Sequence, residues 1–367
     1  MKYILSVLIL FIAVPAFTQD CNMESLLKKQ GTWKETSNTP SGIAAADLAK
    51  EKKTVAAINA MIKSKYKPAG VNAEVNGGYN HPQPGVPVNS FVYSIIPLNF
   101  YCDGNVIKTV GETPTYFSIN TNIFDAEIYE SPDNKEETSG LGYHYIKDMP
   151  FEKDGYWHFK TIDASLGLGM TGKSNSWLIT YDGKLPFAYV THKEFLETRK
   201  IILANARAQS ASQSREALDR LEMEKGFKEK EYKNDPEKLK RYMKMDYTDS
   251  KVRYEKLLRD NEKTYQPAFE KIDAQLKMPA AELNQPAIVK MDPHDHLSCL
   301  FTDDNDPFGQ ILIKPNPGYF NKKIPKSAPQ FFWVYVIANH KEPITANFMS
   351  DIIKAVDFSL LKNMLGK

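Results

Sequence analysis

The sequence predicts an α+β fold, in which an antiparallel sheet carries packed helices and a long, charged helical hairpin is inserted. Segments rich in β-branched and aromatic residues occur on both sides of the middle of the chain. The middle, 191–279, is dominated by Lys, Arg, Asp and Glu and has the spacing of long helices. The last stretch of the chain is amphipathic, so a helix should close the fold.

The composition is that of a globular protein. The 367 residues are 42% hydrophobic and 25% charged, which excludes a collagen-like or wholly disordered chain. The 47 basic and 45 acidic residues leave a net charge of +2. This balance creates no long-range attraction for nucleic acid, so we expect no nucleic-acid partner.

The first 19 residues have the pattern of a cleaved secretory signal. Lys2 precedes an apolar run, 4–14, about half as long as the ~20 residues of a membrane-spanning helix. Ala16 suits the cleavage site, and Gln19 is the latest position for it; an uncleaved anchor is the alternative. We therefore expect a secreted or periplasmic protein with no transmembrane segment after cleavage.

Three cysteines remain after the signal: Cys21, Cys102 and Cys299. In an oxidising compartment an odd number favours one disulfide and one free or buried thiol. We prefer the pair Cys21 and Cys102, because this bond would fix a new N-terminus that would otherwise fray.

The first half of the chain predicts two helices and several strands. The helices are expected at 22–30 and 43–65, the second capped by Ser41. β-Branched and aromatic runs between turn signals predict antiparallel strands at 91–102, 115–124, 143–147 and 156–162.

The clearest local signal is at 177–189, where two apolar runs flank Asp182-Gly183 and predict a β-hairpin. Thr191 and Glu194 then form a capping-box pattern that should start a long helix. Pro236, after Asn-Asp, suits the first turn of a second helix, so the two should form an antiparallel hairpin. The second helix carries a coiled-coil seam, which consists of Tyr247, Tyr254, Leu258, Tyr265, Phe269, Ile272 and Leu276.

This hairpin has two interpretations. It is either an arm that binds a protein partner or a solvated hairpin that pairs only with itself, and the second is the commoner role of such segments.

Strands are expected again at 287–290, 310–314 and 330–338, and a helix at 346–365. We expect one discontinuous domain, 20–190 plus 280–367, with 191–279 inserted; the alternative is two consecutive domains divided near residue 190.

Residues 167–174 spell a phosphate-binding loop, with Gly167, Gly172, Lys173 and Ser174 in the defining positions. The loop requires a helix directly after it, whose N-terminus binds the phosphates. Here a strand pattern follows, so we interpret the match as false and the glycines as a strand connection.

His294 and His296 form the second candidate site. In an extended segment both point to one side, and with Asp303, or with Asp292 or Asp304, they could hold a divalent metal ion. The alternative is a solvated loop between two prolines. Apart from this metal candidate, we expect no cofactor.

Three features together resemble a loose group of uncharacterised secreted proteins of Bacteroidetes-type Gram-negative bacteria. They are WLITYDGKLPFAYVTHKEFL at 177–196, the charged insert after it, and KPNPGYFNKKIPKSAPQFFWV at 314–334. The resemblance implies an envelope or secreted location and carries no functional residue.

The function that these observations favour is a non-enzymatic secreted or envelope binding protein. The export signal and the projecting charged arm support it. The alternative is a metal-assisted hydrolase that uses the loop around His294 and His296.

Overall fold

The computed structural model describes residues 21–37, 40, 42–81, 83, 85–124, 127–128, 143–167, 169–290, 301–303, 305–306 and 308–367. Its helices and strands confirm the α+β class. The strands are β1 Trp33–Ser37, β2 Val71–Gly78, β3 Phe91–Asp103, β4 Val106–Thr109, β5 Tyr116–Thr121, β6 Glu127–Ile128, β7 His144–Ile146, β8 Phe151–Lys153, β9 Tyr156–His158, β10 Ile162–Ser165, β11 Thr171–Ile179, β12 Phe187–Tyr189, β13 Ile288–Lys290, β14 Gly309–Pro315 and β15 Phe332–Ala338. The helices are α1 Met23–Lys28, α2 Ala45–Lys65, α3 His192–Glu231, α4 Pro236–Tyr242, α5 Asp249–Gln275, α6 Ala280–Leu283, α7 Pro343–Ala355 and α8 Phe358–Met364, with a π-helical segment Met243–Thr248 between α4 and α5.

The strands form two sheets rather than one. The larger sheet has the order β1-β2-β3-β5-β15-β11-β9-β8, with β4 on β3 and β10 on β11. Its pairs are antiparallel except for β1 with β2. The smaller sheet has the order β12-β14-β7-β6, with β13 on β14. The late strand β15 therefore lies between two strands from the first half of the chain.

The alternation of side chains along β15 sets the layers of the fold. Phe332, Val334 and Val336 are buried in one cluster with residues of α2, α7 and α8. Trp333 points to the opposite face and is buried with Ile311 and Ile313 of the smaller sheet. Each buried side chain of this size contributes about 1.5–3 kcal/mol, so both faces of β15 stabilise the fold.

The helix ends differ from the predicted ones. Helix α2 begins at Ala45, and its N-cap, Ala44, makes no side-chain capping bond; Ser41 lies outside the described residues. The helix predicted at 346–365 is two helices, because Val356 is extended and Asp357 starts α8 by accepting a hydrogen bond from the Leu360 N–H at 2.9 Å.

The predicted β-hairpin at 177–189 is wrong. Asp182 and Gly183 do form a turn with positive φ, but β11 pairs within the larger sheet and β12 pairs with β14 of the smaller one. The chain therefore changes sheets after the turn.

The strand predicted at 156–162 is divided into two, β9 and β10, which lie one after the other along β11.

The charged middle of the chain forms an antiparallel helical hairpin of α3 and α5. Thr191 caps α3 by accepting from the Glu194 N–H. Ion pairs cross the hairpin, among them Lys200 to Asp273 at 2.5 Å and Lys251 to Glu222 at 2.9 Å. Helix α5 is continuous past Pro267.

The base of this hairpin belongs to the core. Phe195 and Leu203 of α3 and Ile272 of α5 are buried together with Val289 and Leu312 of the smaller sheet. The division of the chain into 20–190 plus 280–367 and an inserted 191–279 stays a prediction, and this shared cluster limits how much of the insert could be removed.

The N-terminal segment is attached covalently and by packing. Cys21 and Cys102 form a disulfide whose Cα atoms lie 5.7 Å apart. Leu26 of α1 is buried with Phe100 and Ile344. Gly31 passes so close to β2 that an added Cβ would lie 1.6 Å from the Val71 carbonyl oxygen, so only glycine fits there.

Candidate functional site

A cleft of about 660 Å³ opens between the two sheets, beside the C-terminal part of β15. Its floor is the face of the larger sheet that carries Trp333, Tyr335 and Ile337, which share one face because they alternate along the strand. Residues of β7, β10 and β14 form the walls. The volume falls within the range of small-molecule sites.

The cleft exists because the side chains on this face of β11 become smaller toward its N-terminal end. Leu178 lies opposite Trp333, whereas Ser176 lies opposite Tyr335 and Ser174 opposite Ile337. Directly opposed residues of an antiparallel pair share a face, so the two serines leave open the space that a larger residue would fill. Ser174 is 3% exposed and Ser176 is half-buried.

Two pairs of aromatic rings line the cleft. Phe159 stacks on Trp333, with ring centroids 4.8 Å apart and planes 20° from parallel. Tyr116 contacts Tyr335 with centroids 5.4 Å apart. The indole N–H of Trp333 donates to the Ser176 hydroxyl, which fixes the indole against the serine strand. The cleft therefore has a rigid aromatic floor with hydroxyl groups beside it.

Gln310 of β14 faces the same cleft. Its Oε1 atom is buried and has no hydrogen-bond partner among the described residues. An unpartnered buried polar atom costs about 1–3 kcal/mol. Because no described contact fixes this amide, it can turn to offer a ligand either its oxygen or its NH₂ group.

The charged groups of the cleft are balanced. Lys160 forms an ion pair with Asp148 at 2.9 Å, and Asp163 forms one with Lys173 at 2.8 Å. The hydrogen bond and the positive charge of Lys173 lower the pKa of Asp163. Lys147 donates to the backbone oxygen of Gly309 at 3.3 Å. The described lining thus holds two lysines, 147 and 160, and two aspartates, 148 and 163.

The residues of the phosphate-loop match lie in and before β11. Gly167 is in a turn with φ +80°, whereas Gly172, Lys173 and Ser174 are strand residues paired with β10. The strand pattern predicted to start at 177 therefore starts at Thr171. Gly167 lies in the connection between β10 and β11, as predicted for the glycines, whereas the prediction is wrong for Gly172, which is a strand residue. Lys173 binds Asp163, and Ser174 lines the cleft.

The predicted metal ligands are only partly described. His294, His296, Asp292 and Asp304 lie outside the described residues, as does Cys299. Asp303 accepts a hydrogen bond from the Asn305 N–H at 2.8 Å and so shapes its own turn. Within the described part of the chain, no group of three His, Cys, Asp or Glu residues is placed to hold a metal ion. The metal site stays a prediction.

The outer part of the helical hairpin exposes apolar side chains. Met223 and Phe227, one turn apart on α3, are 64% and 65% exposed. The predicted coiled-coil seam residues, from Tyr247 to Leu276, are buried or half-buried, as pairing with α3 requires. Binding of a protein partner by this arm stays a prediction.

Comparisons of the chain with protein-family models, with curated proteins and with solved structures found no match. None of the helices in the described ranges is both long enough and apolar enough to span a membrane.

Proposed function

We propose that this is a secreted or periplasmic binding protein that holds a small molecule in the cleft between its two sheets. The observation that carries the proposal is the pairing of a rigid aromatic floor with an uncommitted amide, Gln310, in a space of about 660 Å³. Such sites combine mostly apolar walls with a few polar groups that orient the ligand.

The state of the carboxylates favours binding over acid–base catalysis. A general acid needs a pKa raised toward neutrality. Asp163 has the opposite shift, because Lys173 lowers its pKa. Asp148 is held by Lys160. Both groups are therefore engaged in fixing the walls of the cleft.

Two observations support the exported location. The first 19 residues have the pattern of a signal peptide. The Cys21–Cys102 disulfide suits an oxidising compartment such as the periplasm, since disulfides are rare in the reducing cytosol.

A small-molecule screen by ligand-observed NMR tests the binding function. We expect hits whose binding is lost in Ser174→Leu, which fills the cleft, and weakened in Tyr335→Ala, which removes part of its floor. Tyr101→Ala is the matched control, because Tyr101 is a partly exposed tyrosine of β3 outside the cleft lining. Hits that bind all three variants equally would show that the cleft is not the binding site.

The location is tested by expressing the full chain with a C-terminal tag in a Gram-negative host. We expect a periplasmic product that lacks the first 16–19 residues, as measured by mass spectrometry. A cytosolic product of full length would contradict the exported location.

A further inference from the structure

We propose that the ligand of the cleft is an uncharged carbohydrate, with at least one pyranose ring lying on the aromatic floor. This inference rests on the proposed function and names its ligand class. It is drawn from three properties of the lining: its rings, its unpaired hydrogen-bonding groups and its charge.

The rings favour a ligand with a flat apolar face. Trp333 and Tyr335 lie on the floor of the cleft, and Tyr116 and Phe159 line it as well. Phe159 stacks on Trp333 with centroids 4.8 Å apart. One face of a pyranose carries several C–H groups, which pack on the negative face of an aromatic ring. A stacked floor is also rigid, so little side-chain entropy is lost on binding.

The hydrogen-bonding groups favour a ligand that can both donate and accept. The Ser176 hydroxyl oxygen accepts from the Trp333 indole N–H, so the hydroxyl proton is available for a hydrogen bond to a ligand. No described residue accepts this proton. Gln310 can offer either end of its amide. Hydroxyl groups of a sugar serve both needs, since each one donates and accepts.

The same groups disfavour a purely apolar ligand. A lipid tail or a hydrocarbon would cover Gln310 and Ser174 without giving either a hydrogen bond. Leaving such groups buried and unpaired lowers affinity strongly, which is why polar sites reject analogues that lack the matching hydroxyl.

The charge balance favours an uncharged ligand. Asp148 and Asp163 are each paired with a lysine, at 2.9 Å and 2.8 Å. An anionic ligand that took Lys160 or Lys173 would leave an aspartate unpaired, and a cationic ligand that took Asp148 or Asp163 would leave a lysine unpaired. A neutral ligand leaves both ion pairs intact.

The test uses the purified protein and four neutral probes: maltotriose, cellotriose, xylotriose and N,N′-diacetylchitobiose. Two further probes, indole and hexanoate, represent flat aromatic and apolar acidic ligands. Binding is measured by isothermal titration calorimetry and by the change in tryptophan fluorescence. We expect at least one saccharide to bind, and neither indole nor hexanoate to bind as tightly.

Variants connect binding to the cleft. Gln310→Leu puts an apolar side chain of comparable size in place of the amide and so removes its hydrogen-bonding groups, and we expect at least a tenfold loss of saccharide affinity. Tyr335→Ala should cause a similar loss, whereas Tyr101→Ala should bind as the wild type does. Thermal unfolding of each variant shows whether it is folded. If Gln310→Leu does not fold, Gln310→Asn takes its place.

The outcomes separate the two proposals. If no saccharide binds but other small molecules bind and are lost in Ser174→Leu, the carbohydrate inference is overturned and the binding function stands. If saccharides bind equally to the cleft variants, the carbohydrate inference is also overturned. If neither the saccharides nor any molecule of the screen binds, both proposals fail.

Discussion

The side chain of Asn122 accepts a hydrogen bond from the backbone N–H of Gln330 at 2.8 Å, which joins two segments 208 residues apart. The same oxygen accepts from the Phe331 N–H, and the amide nitrogen donates to the carbonyl oxygens of Asn89 and Ala328. Asn122 is fully buried and has a φ of +56°, which asparagine tolerates better than most residues. One side chain therefore sets the positions of three chain segments beside β15.

Replacing Asn122 by alanine should lower the free energy of unfolding by about 3–5 kcal/mol, because several buried backbone groups lose their partners at once. Urea unfolding followed by circular dichroism measures the change. Asn284→Ala is the control, since Asn284 is exposed and should change stability by less than about 0.5 kcal/mol. Equal effects of the two variants would show that the Asn122 contacts do not stabilise the fold.

The disulfide should stabilise the protein by about 2–4 kcal/mol, because it closes a long loop in the unfolded chain. Its cysteines are 81 residues apart in sequence. We expect the Cys21→Ser/Cys102→Ser variant to unfold at lower urea concentration, with no further change when a reductant is added. Cys299→Ser should keep the reductant sensitivity of the wild type. If a reductant leaves the unfolding midpoint of the wild-type protein unchanged, the disulfide does not stabilise the fold.

Glu51 of α2 makes stability depend on pH. Its carboxyl group is fully buried, one oxygen accepts from Asn89 at 3.0 Å, and the other has no described partner. Burial, with a smaller effect of the Asp47 charge, raises the pKa of Glu51 above its usual value, against the opposing effect of the Asn89 hydrogen bond. An acid with a raised pKa in the folded state favours folding at low pH and loses that contribution as pH rises through the folded pKa.

Glu51→Gln should therefore stabilise the protein at pH 7 by about 1 kcal/mol, since no charge is then buried. The gain should disappear below the pKa of the unfolded carboxyl group, near pH 4. Melting temperatures from pH 4 to pH 8 test this. The exposed Glu112 gives the control variant Glu112→Gln, which should show no gain at any pH. A gain for Glu51→Gln that persists unchanged at pH 4 would exclude the ionisation mechanism.

The hairpin can be shortened only above its base. Asn261 donates to the Arg207 carbonyl oxygen at 3.1 Å, and Lys251 pairs with Glu222, which fixes the register of α3 and α5. Removal of 215–257, with a short Gly-Ser linker in its place, should leave a folded protein. Removal of 195–275 should give an insoluble one, because it takes Phe195 and Ile272 from the core. Soluble expression and circular dichroism distinguish these outcomes.

The parts of the fold that the sequence predicts well are those with a strong local pattern. The apolar run at 330–338 predicts a strand, and β15 forms there, between β5 and β11. Asn-Asp-Pro correctly marks the start of α4, where Asp235 caps the helix by accepting from the Lys238 N–H at 3.1 Å. In both cases the residues that decide the structure are neighbours in sequence.

Other parts depend on contacts that no local pattern contains. Strand β2 has a weak sequence signal, because Asn, Glu and Gly, which are depleted in strands, occupy five of its eight positions. The Asp182-Gly183 turn is real, yet the strands around it join different sheets. The cleft has the same origin: Phe159, Gln310 and Tyr335 come together only in the folded chain.

The position of β15 also decides when the protein can fold. Whether the chain emerges from the ribosome or from a translocation channel, β5 and β11 emerge long before residues 332–338. Each of these two strands therefore has one hydrogen-bonding edge without its partner until β15 follows. Unfilled edges recruit strands from other molecules, and pairings between distant segments form slowly. A nascent chain that stops before residue 332 should therefore aggregate, while the finished chain closes its sheet in a single late step.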